Sequence, residues 1–238
     1  MKKEKDPMGM AIADFHNTGK AGKLKVLSPD FDEDEIPVET LFRSFDEMPS
    51  IEQEALKLSC GKILDIGAGA GCHSIALQDL GKEVTAIDIS PLSVITMKER
   101  GVVNAFEQDL WLTTEKYDTL LMLMNGIGIV GKIDKLPEFF GLVDKILNEE
   151  GQVLLDSSDL CYLYEEEDGI IILPDDGRYY GELRYQMRYK GKNGEPFDWL
   201  YIDFDSLQKI AAECGFEASM VKQGEHYDYL ARITRAEK

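Results

Sequence analysis

The residues best suited to chemistry begin with a carboxylate and three glycines, Asp65-Ile-Gly67-Ala68-Gly69-Ala-Gly71. Glycine turns a backbone sharply and lets a ligand approach the main chain closely. The run follows the apolar residues Ile63, Leu64 and Ile66. It precedes a segment, Cys72 to Leu80, with Ile75, Ala76 and Leu80 near helical spacing. Strand, glycine turn and helix form a cradle, because the unsatisfied N–H groups of a helix start face an anionic group. A second carboxylate, Asp88, ends the apolar run Val84, Ala86, Ile87, with Ile89 behind it. It comes about 20 residues after the first glycine, where nucleotide-binding α/β folds place an acid against ribose hydroxyls. A capping aspartate before Pro91 is the bland alternative.

Which nucleotide occupies such a cradle depends on the sixth position of the glycine run. The dinucleotide fingerprint wants a small residue there, and this chain has Cys72. The pattern Asp65-x-Gly67-x-Gly69-x-Gly71 instead resembles the first motif of the class I S-adenosylmethionine-dependent methyltransferases. The resemblance covers about residues 55–160. It implies that S-adenosyl-L-methionine lies on Asp65, Gly67, Ala68, Gly69, Gly71, Asp88 and Ile89, with Asp109 and Leu110 beside the adenine. It also implies that Asn125, after the fourth strand, touches the cofactor and stands next to the acceptor. Family members that methylate exocyclic base amines carry Asn/Asp-Pro-Pro-Tyr/Phe at this place; here it reads Asn125-Gly126-Ile127-Gly128. The prolines and the stacking aromatic are missing, which counts against a base as acceptor. The atom methylated stays open.

The elements that must position these residues alternate. Strands end at Ile66, Asp88, Phe106, Met124 and Asp156, with helices between them such as Ile133–Leu147. The continuous apolar run Tyr117–Met124 suits a parallel strand buried on both faces. The expected fold is therefore α/β: a doubly wound, Rossmann-like, mostly parallel seven-stranded sheet whose last strand, in the segment 227–234, is antiparallel. Residues 1–59 read as a tail and a helical cover, with Ser50 and Gln53 capping a helix that stops near Gly61. Residues 60–238 read as the methyltransferase domain. Within it, 170–202 is an antiparallel insertion: Ile170–Leu173 is strand-like, Leu183, Tyr185, Met187 and Tyr189 share one face, and Asn193-Gly194 signals a hairpin. Arg184, Arg188 and Lys190 fall on the opposite face, as a solvated edge or a contact for an anionic partner.

Three histidines, His16, His73 and His226, are the base candidates. His226 and His16, with Asn125, are the catalytic candidates; His73 belongs nearer the cofactor. Phe15, Asn125, Tyr162, Tyr179 and His226 are the candidates for lining an acceptor pocket. Direct displacement on a sulfonium methyl needs positioning more than a dyad, so the lack of one is no objection. The four cysteines are scattered without metal spacing, and no metal site is expected.

A net charge of −19 over 238 residues repels nucleic acid. No stretch is apolar enough to span a bilayer, and the start, Met1-Lys-Lys-Glu-Lys-Asp-Pro7, lacks a signal-peptide core. The expectation is a cytoplasmic enzyme methylating a small molecule. The rivals are a methyltransferase for tRNA or protein, a nicotinamide-dependent oxidoreductase, and a silent cofactor-binding module. The sequence leaves the oligomeric state open.

Overall fold

The computed structural model describes residues 5–166, 169–174 and 177–236. Its centre is a seven-stranded sheet. The parallel strands are β3 (Lys62–Ile66), β4 (Glu83–Asp88), β5 (Ala105–Glu107), β6 (Tyr117–Met122) and β7 (Leu147–Ser158). The antiparallel pair β11 (Phe216–Gln223) and β12 (Asp228–Arg235) completes it in the order β11-β12-β7-β6-β3-β4-β5. The helices α2 (Ser50–Leu58), α3 (Cys72–Asp79), α4 (Pro91–Glu99), α5 (Leu136–Ile146) and α6 (Phe204–Glu213) cover its two faces. The expected doubly wound fold is the one observed. Leu64, Leu120, Val153, Phe139, Phe140 and Val143 fill the core on the α5–α6 side; Ile63, Leu121, Leu154, Leu56 and Leu77 fill the α2–α3 side.

The N-terminal segment departs from the expected helical cover. Helix α1 (Pro7–Thr18) is there, but β1 (Leu24–Leu27) and β2 (Asp34–Ile36) follow it. They join β8 (Glu182–Tyr189), β9 (Lys192–Asn193) and β10 (Phe197–Leu200) in a second, antiparallel sheet ordered β10-β8-β1-β2, with β9 on β8. Segments more than 150 residues apart thus share one sheet, and each supplies the partner that the other's sequence could not reveal. Strand β8 is internal, not an edge.

Three local expectations change as well. Ser50 does not cap α2: Pro49 precedes it without a side-chain cap, while a capping box forms upstream between Ser44 and Glu47. The hairpin turn falls on Lys190-Gly191, at φ 47° and 75°, and Asn193 is already in β9. Ile170–Leu173 forms no strand; its one pairing is a bridge from Ile171 to Glu165, and all four side chains are exposed. The bridge is closed by the Glu166 amide donating to Ile170 O and the Ile172 amide donating to Tyr164 O, at 2.8 and 2.9 Å.

Candidate active site

The glycine run turns at the carboxyl end of β3. Gly67, Gly69 and Gly71 adopt φ of 71°, 56° and 83°, left-handed values that other residues reach at a cost. The Gly67 and Ala68 amides donate to Ile87 O, tying the turn to β4. A side chain on Gly71 would strike Met97 at 2.9 Å, whereas the space over Gly69 is open. The Gly69 amide donates to Asp88 Oδ2 at 2.9 Å, and the Ser90 amide donates to Oδ1 at 2.7 Å. Burial pushes the Asp88 carboxyl up to about 6 against these two hydrogen bonds, yet it keeps some contact with solvent. Ile89 beside it is 50% exposed, an apolar surface at the cradle rim.

Beneath the turn, Asp65 is buried and accepts from Ser74 Oγ at 2.6 Å. Burial raises it, offset in part by His73 and Ser74. His73 Nε2 lies 2.8 Å from Glu52 Oε2, and Arg43 Nη2 donates to the same oxygen. Burial alone would raise Glu52; His73 and then Arg43 outweigh it and hold it below the usual glutamate value. The Nε of Arg43 is buried with no hydrogen-bond partner among the described residues. An orphaned guanidinium N–H beside a glycine turn suits a carboxylate-bearing ligand, since a buried unpaired donor is costly.

On the far side, Asp109 is exposed and caps the short turn Leu110–Leu112, accepting from Trp111 N at 3.0 Å, while Leu110 is buried. Beyond β6, Met124 and Asn125 take left-handed φ of 64° and 55°. Their loop is held by Asp156, which lies within β7, two residues before its end at Ser158, and accepts from the Met124 and Gly126 amides at 3.1 and 3.3 Å. Asp156 is 5% exposed, and burial pushes its carboxyl up to about 7. Asn125 Oδ1 accepts from Ser158 Oγ at 3.0 Å. Against this loop lies the second sheet: an ideal Cβ on Gly128 would sit 2.0 Å from Trp199 Cε2. Tyr185 and Tyr201 meet through their hydroxyls at 3.4 Å nearby.

The remaining candidates divide. Tyr162 stacks on Tyr227 at 4.9 Å between ring centroids, and Tyr179 donates to Asp203 Oδ2 at 2.5 Å. Phe15 packs on Phe42 within the small core of α1, Leu24, Val38 and Tyr189. His16 Nε2 pairs with Glu99 of α4 at 3.2 Å. His226 is exposed in the turn between β11 and β12, and its ring makes no hydrogen bond among the described residues. So Asp65, Gly67, Gly69, Gly71, Asp88 and Asn125 line one edge of the sheet, while Phe15 and His16 belong to the packing of α1. Sequence reasoning missed Arg43, Glu52, Trp199, Tyr185 and Tyr201. It left Asp156 without a role, although an acid ending the fifth strand was itself a signal. Among the described residues, no group of three or more His, Cys, Asp or Glu could hold a metal ion. No helix among them is long and apolar enough to cross a membrane.

Comparison with known proteins agrees with this geometry. The family model for ribosomal protein L11 methyltransferase (PrmA) matches residues 47–155. No curated protein matches the chain. A crystal structure of an S-adenosylmethionine-dependent methyltransferase from Bacteroides fragilis, in complex with S-adenosyl-L-homocysteine, is 54% identical, with a TM-score of 0.94 over 100% of this chain and 98% of that one. The CcbJ methyltransferase of Streptomyces caelestis is 15% identical, with a TM-score of 0.64 over 99% and 100% of the two chains. The sugar N-methyltransferase KedS8 of a Streptoalloteichus species is 13% identical, with a TM-score of 0.58 over 87% and 96%. The last two speak for the fold alone. The cradle, the sheet order and the close Bacteroides relative together show that the chain belongs to the class I S-adenosylmethionine-dependent methyltransferases.

Proposed function

We propose that this methyltransferase acts on a small-molecule acceptor held between the Asn125 loop and the second sheet. The observation that carries the reading is the seating of Trp199 on Gly128. It brings the second sheet over the carboxyl ends of β6 and β7, where ligands of parallel α/β sheets bind. The PrmA family, named for a ribosomal protein, offers a protein acceptor as a second reading. Its match ends at residue 155, before β8 and β10 begin, so it bears on the cofactor half of the site. The basic residues of β8 and of the turn after it also turn outward onto acids: Arg184 toward Asp198, Arg188 toward Glu33 and Lys190 toward Asp14. A neutralised face offers little to tRNA.

In this reading Gly67, Ala68, Gly69 and Gly71 present main chain to the cofactor. Asp88 takes the ribose hydroxyls, and Ile89, Asp109 and Leu110 flank the adenine. Asp65 and Arg43 hold the amino and carboxylate groups of the methionyl end. Residues 1–59 and the insertion 170–202 act together as the acceptor-binding wall of a methyltransferase domain spanning 60–238, in a cytoplasmic enzyme. Bound S-adenosylmethionine supplies a methyl group already activated by its sulfonium. The protein's part is to orient the nucleophile in line and to exclude water. His226 and Asn125 are the side chains to test for a part in acceptor binding.

The test is calorimetric titration of S-adenosylmethionine, S-adenosylhomocysteine and NAD into wild type and Asp88→Ala. The expected result is binding of the first two and its loss in the variant. Unchanged binding in Asp88→Ala would remove the ribose role.

A further inference from the structure

The second sheet sorts its charges by face. Residues paired across antiparallel strands share a face, so Asp34, Val26 and Met187 form one row, Tyr185 and Phe197 the next, and Leu183 and Trp199 the third. Trp199 identifies this face as the one on the Asn125 loop. It carries rings, aliphatics and one carboxylate across β1, β2, β8 and β10, and its one cation, Lys192 of β9, stands opposite Tyr189 at the far end from Trp199. Lys25, Arg184 and Arg188 all stand on the other face, turned toward acids. Tyr201 adds a further ring, and Asp156 a further carboxylate from β7. Burial, then the Tyr201 phenol, then Asp34 push the Tyr185 hydroxyl up; Tyr201 is pushed up by burial, Tyr162, Asp156 and Asp34. These groups therefore lie within electrostatic reach of one another. His73, which faces Asp156, and Arg43 both contact Glu52 Oε2.

We propose that the acceptor is an alkylamine, recognised as its ammonium ion by the ring faces of Tyr185, Tyr201 and Trp199 and by the carboxylates of Asp34 and Asp156. The inference rests on the small-molecule reading above. Aromatic faces carry negative potential and attract cations, most strongly where water is excluded. An anionic acceptor would find two carboxylates here and no cation on the inner face of β1, β2, β8 and β10. An adjoining cavity of about 210 Å³ has Tyr164, Tyr179 and Tyr180 in its wall, together with Asp30, Glu182 and one cation, Arg178. The hydroxyls of these three are spent on Tyr180 O, Asp203 and Asp159, which leaves ring surface to a ligand.

Before attack the ammonium gives one proton to Asp156. The freed nitrogen lone pair then forms a C–N bond as the C–S bond breaks, the electron pair of the latter remaining on sulfur. Asp156 is the buried carboxylate of the group, and it is faced by the Met124 and Gly126 amides, by Glu52 and His73, and by Tyr201 and Tyr229. Its upward shift suits it to hold a proton near neutrality.

The test uses two probes of one shape, choline and 3,3-dimethylbutan-1-ol, titrated into protein saturated with S-adenosylhomocysteine. Choline should bind at least tenfold more tightly. Asp34→Asn and Tyr185→Leu should each weaken choline at least threefold while the S-adenosylhomocysteine affinity, which reports folding, stays within twofold. Equal binding of the probes, or no heat from either, overturns the proposal. A parallel assay with methyl-labelled S-adenosylmethionine offers alkylamines, matched alcohols, thiols and carboxylic acids, and intact ribosomes. Label in amines supports the proposal. Label in alcohols, thiols or acids overturns it and leaves the small-molecule reading standing; label in ribosomes alone overturns both.

Discussion

The carboxylate of Asp6 and the hydroxyl of Ser90, 84 residues apart in sequence, meet at 2.5 Å in a buried contact. Asp6 caps α1 through the Gly9 amide, and Ser90 caps α4 through the Ser93 amide. Two helix starts thus converge on one carboxylate, which suits the partial positive charge at each. Ser90 also donates its own amide to Asp88, so α1 is anchored one residue away from the loop carrying Ile89. The approach needs a glycine: a Cβ at Gly9 would come within 2.3 Å of both Asp6 Oδ2 and Ser90 Oγ.

Asp6→Ala should destabilise the protein by about 1–3 kcal/mol, the cost of removing a cap and stranding a buried hydroxyl. It should also weaken S-adenosylhomocysteine binding, because Ser90 loses its fixed position beside Asp88. Urea unfolding of the two single variants and of Asp6→Ala/Ser90→Ala gives the coupling. Additive effects would show that the contact carries no energy of its own.

Glu52 holds Arg43 and His73 in a buried trio. Removing one partner of a buried pair leaves the others uncompensated, at about 3–5 kcal/mol. Glu52→Ala should reach that range in chemical denaturation, with Glu52→Gln losing less because its amide oxygen still accepts. A loss below about 1 kcal/mol for Glu52→Ala would mean that the trio is open to water.

Trp199 occupies the place of a side chain on Gly128. Gly128→Ala should cost about 1–3 kcal/mol from overpacking and push the second sheet away from the Asn125 loop. Cofactor affinity should hold, because Gly128 lies outside the cradle formed by Gly67–Gly71. Turnover should fall. Steady-state kinetics that show a raised cofactor KM and normal kcat would contradict this division of the site.

The Asp156 carboxyl, pushed up to about 7 by burial with Glu52 adding to the shift and His73 opposing it, gives stability a definite slope. Between the unfolded value of about 4 and the folded one, the native state binds more protons than the unfolded chain. Stability therefore falls as pH rises through that window and levels off above it. Asp156→Asn removes this contribution, so its melting temperature should gain on wild type as pH rises from about 4 to about 7. A constant difference across that range would place the Asp156 carboxyl at its ordinary value.

Periodicity and turn chemistry alone determined the parallel half of this protein. Apolar runs ending in Ile66, Asp88 and Met124 had to be buried strands, the last of which the structure ends at Met122. The glycines between Gly67 and Gly71 had to be a turn, because both features are encoded by neighbours in the chain. Hence the glycine turn was legible, with Asp65 and Asp88 beside it. The second sheet was not. Strands β1 and β8 become visible only when Leu24 meets Tyr189 and Val26 meets Met187, and short strands carry no sign of partners more than 150 residues away. The trio of Arg43, Glu52 and His73, the seating of Trp199 on Gly128 and the grip of Asp156 on the Met124–Gly126 loop are likewise decided by tertiary structure. Each joins residues that share neither a helix face nor a strand, and only burial, which makes an unpaired charge or an empty space costly, brings them together.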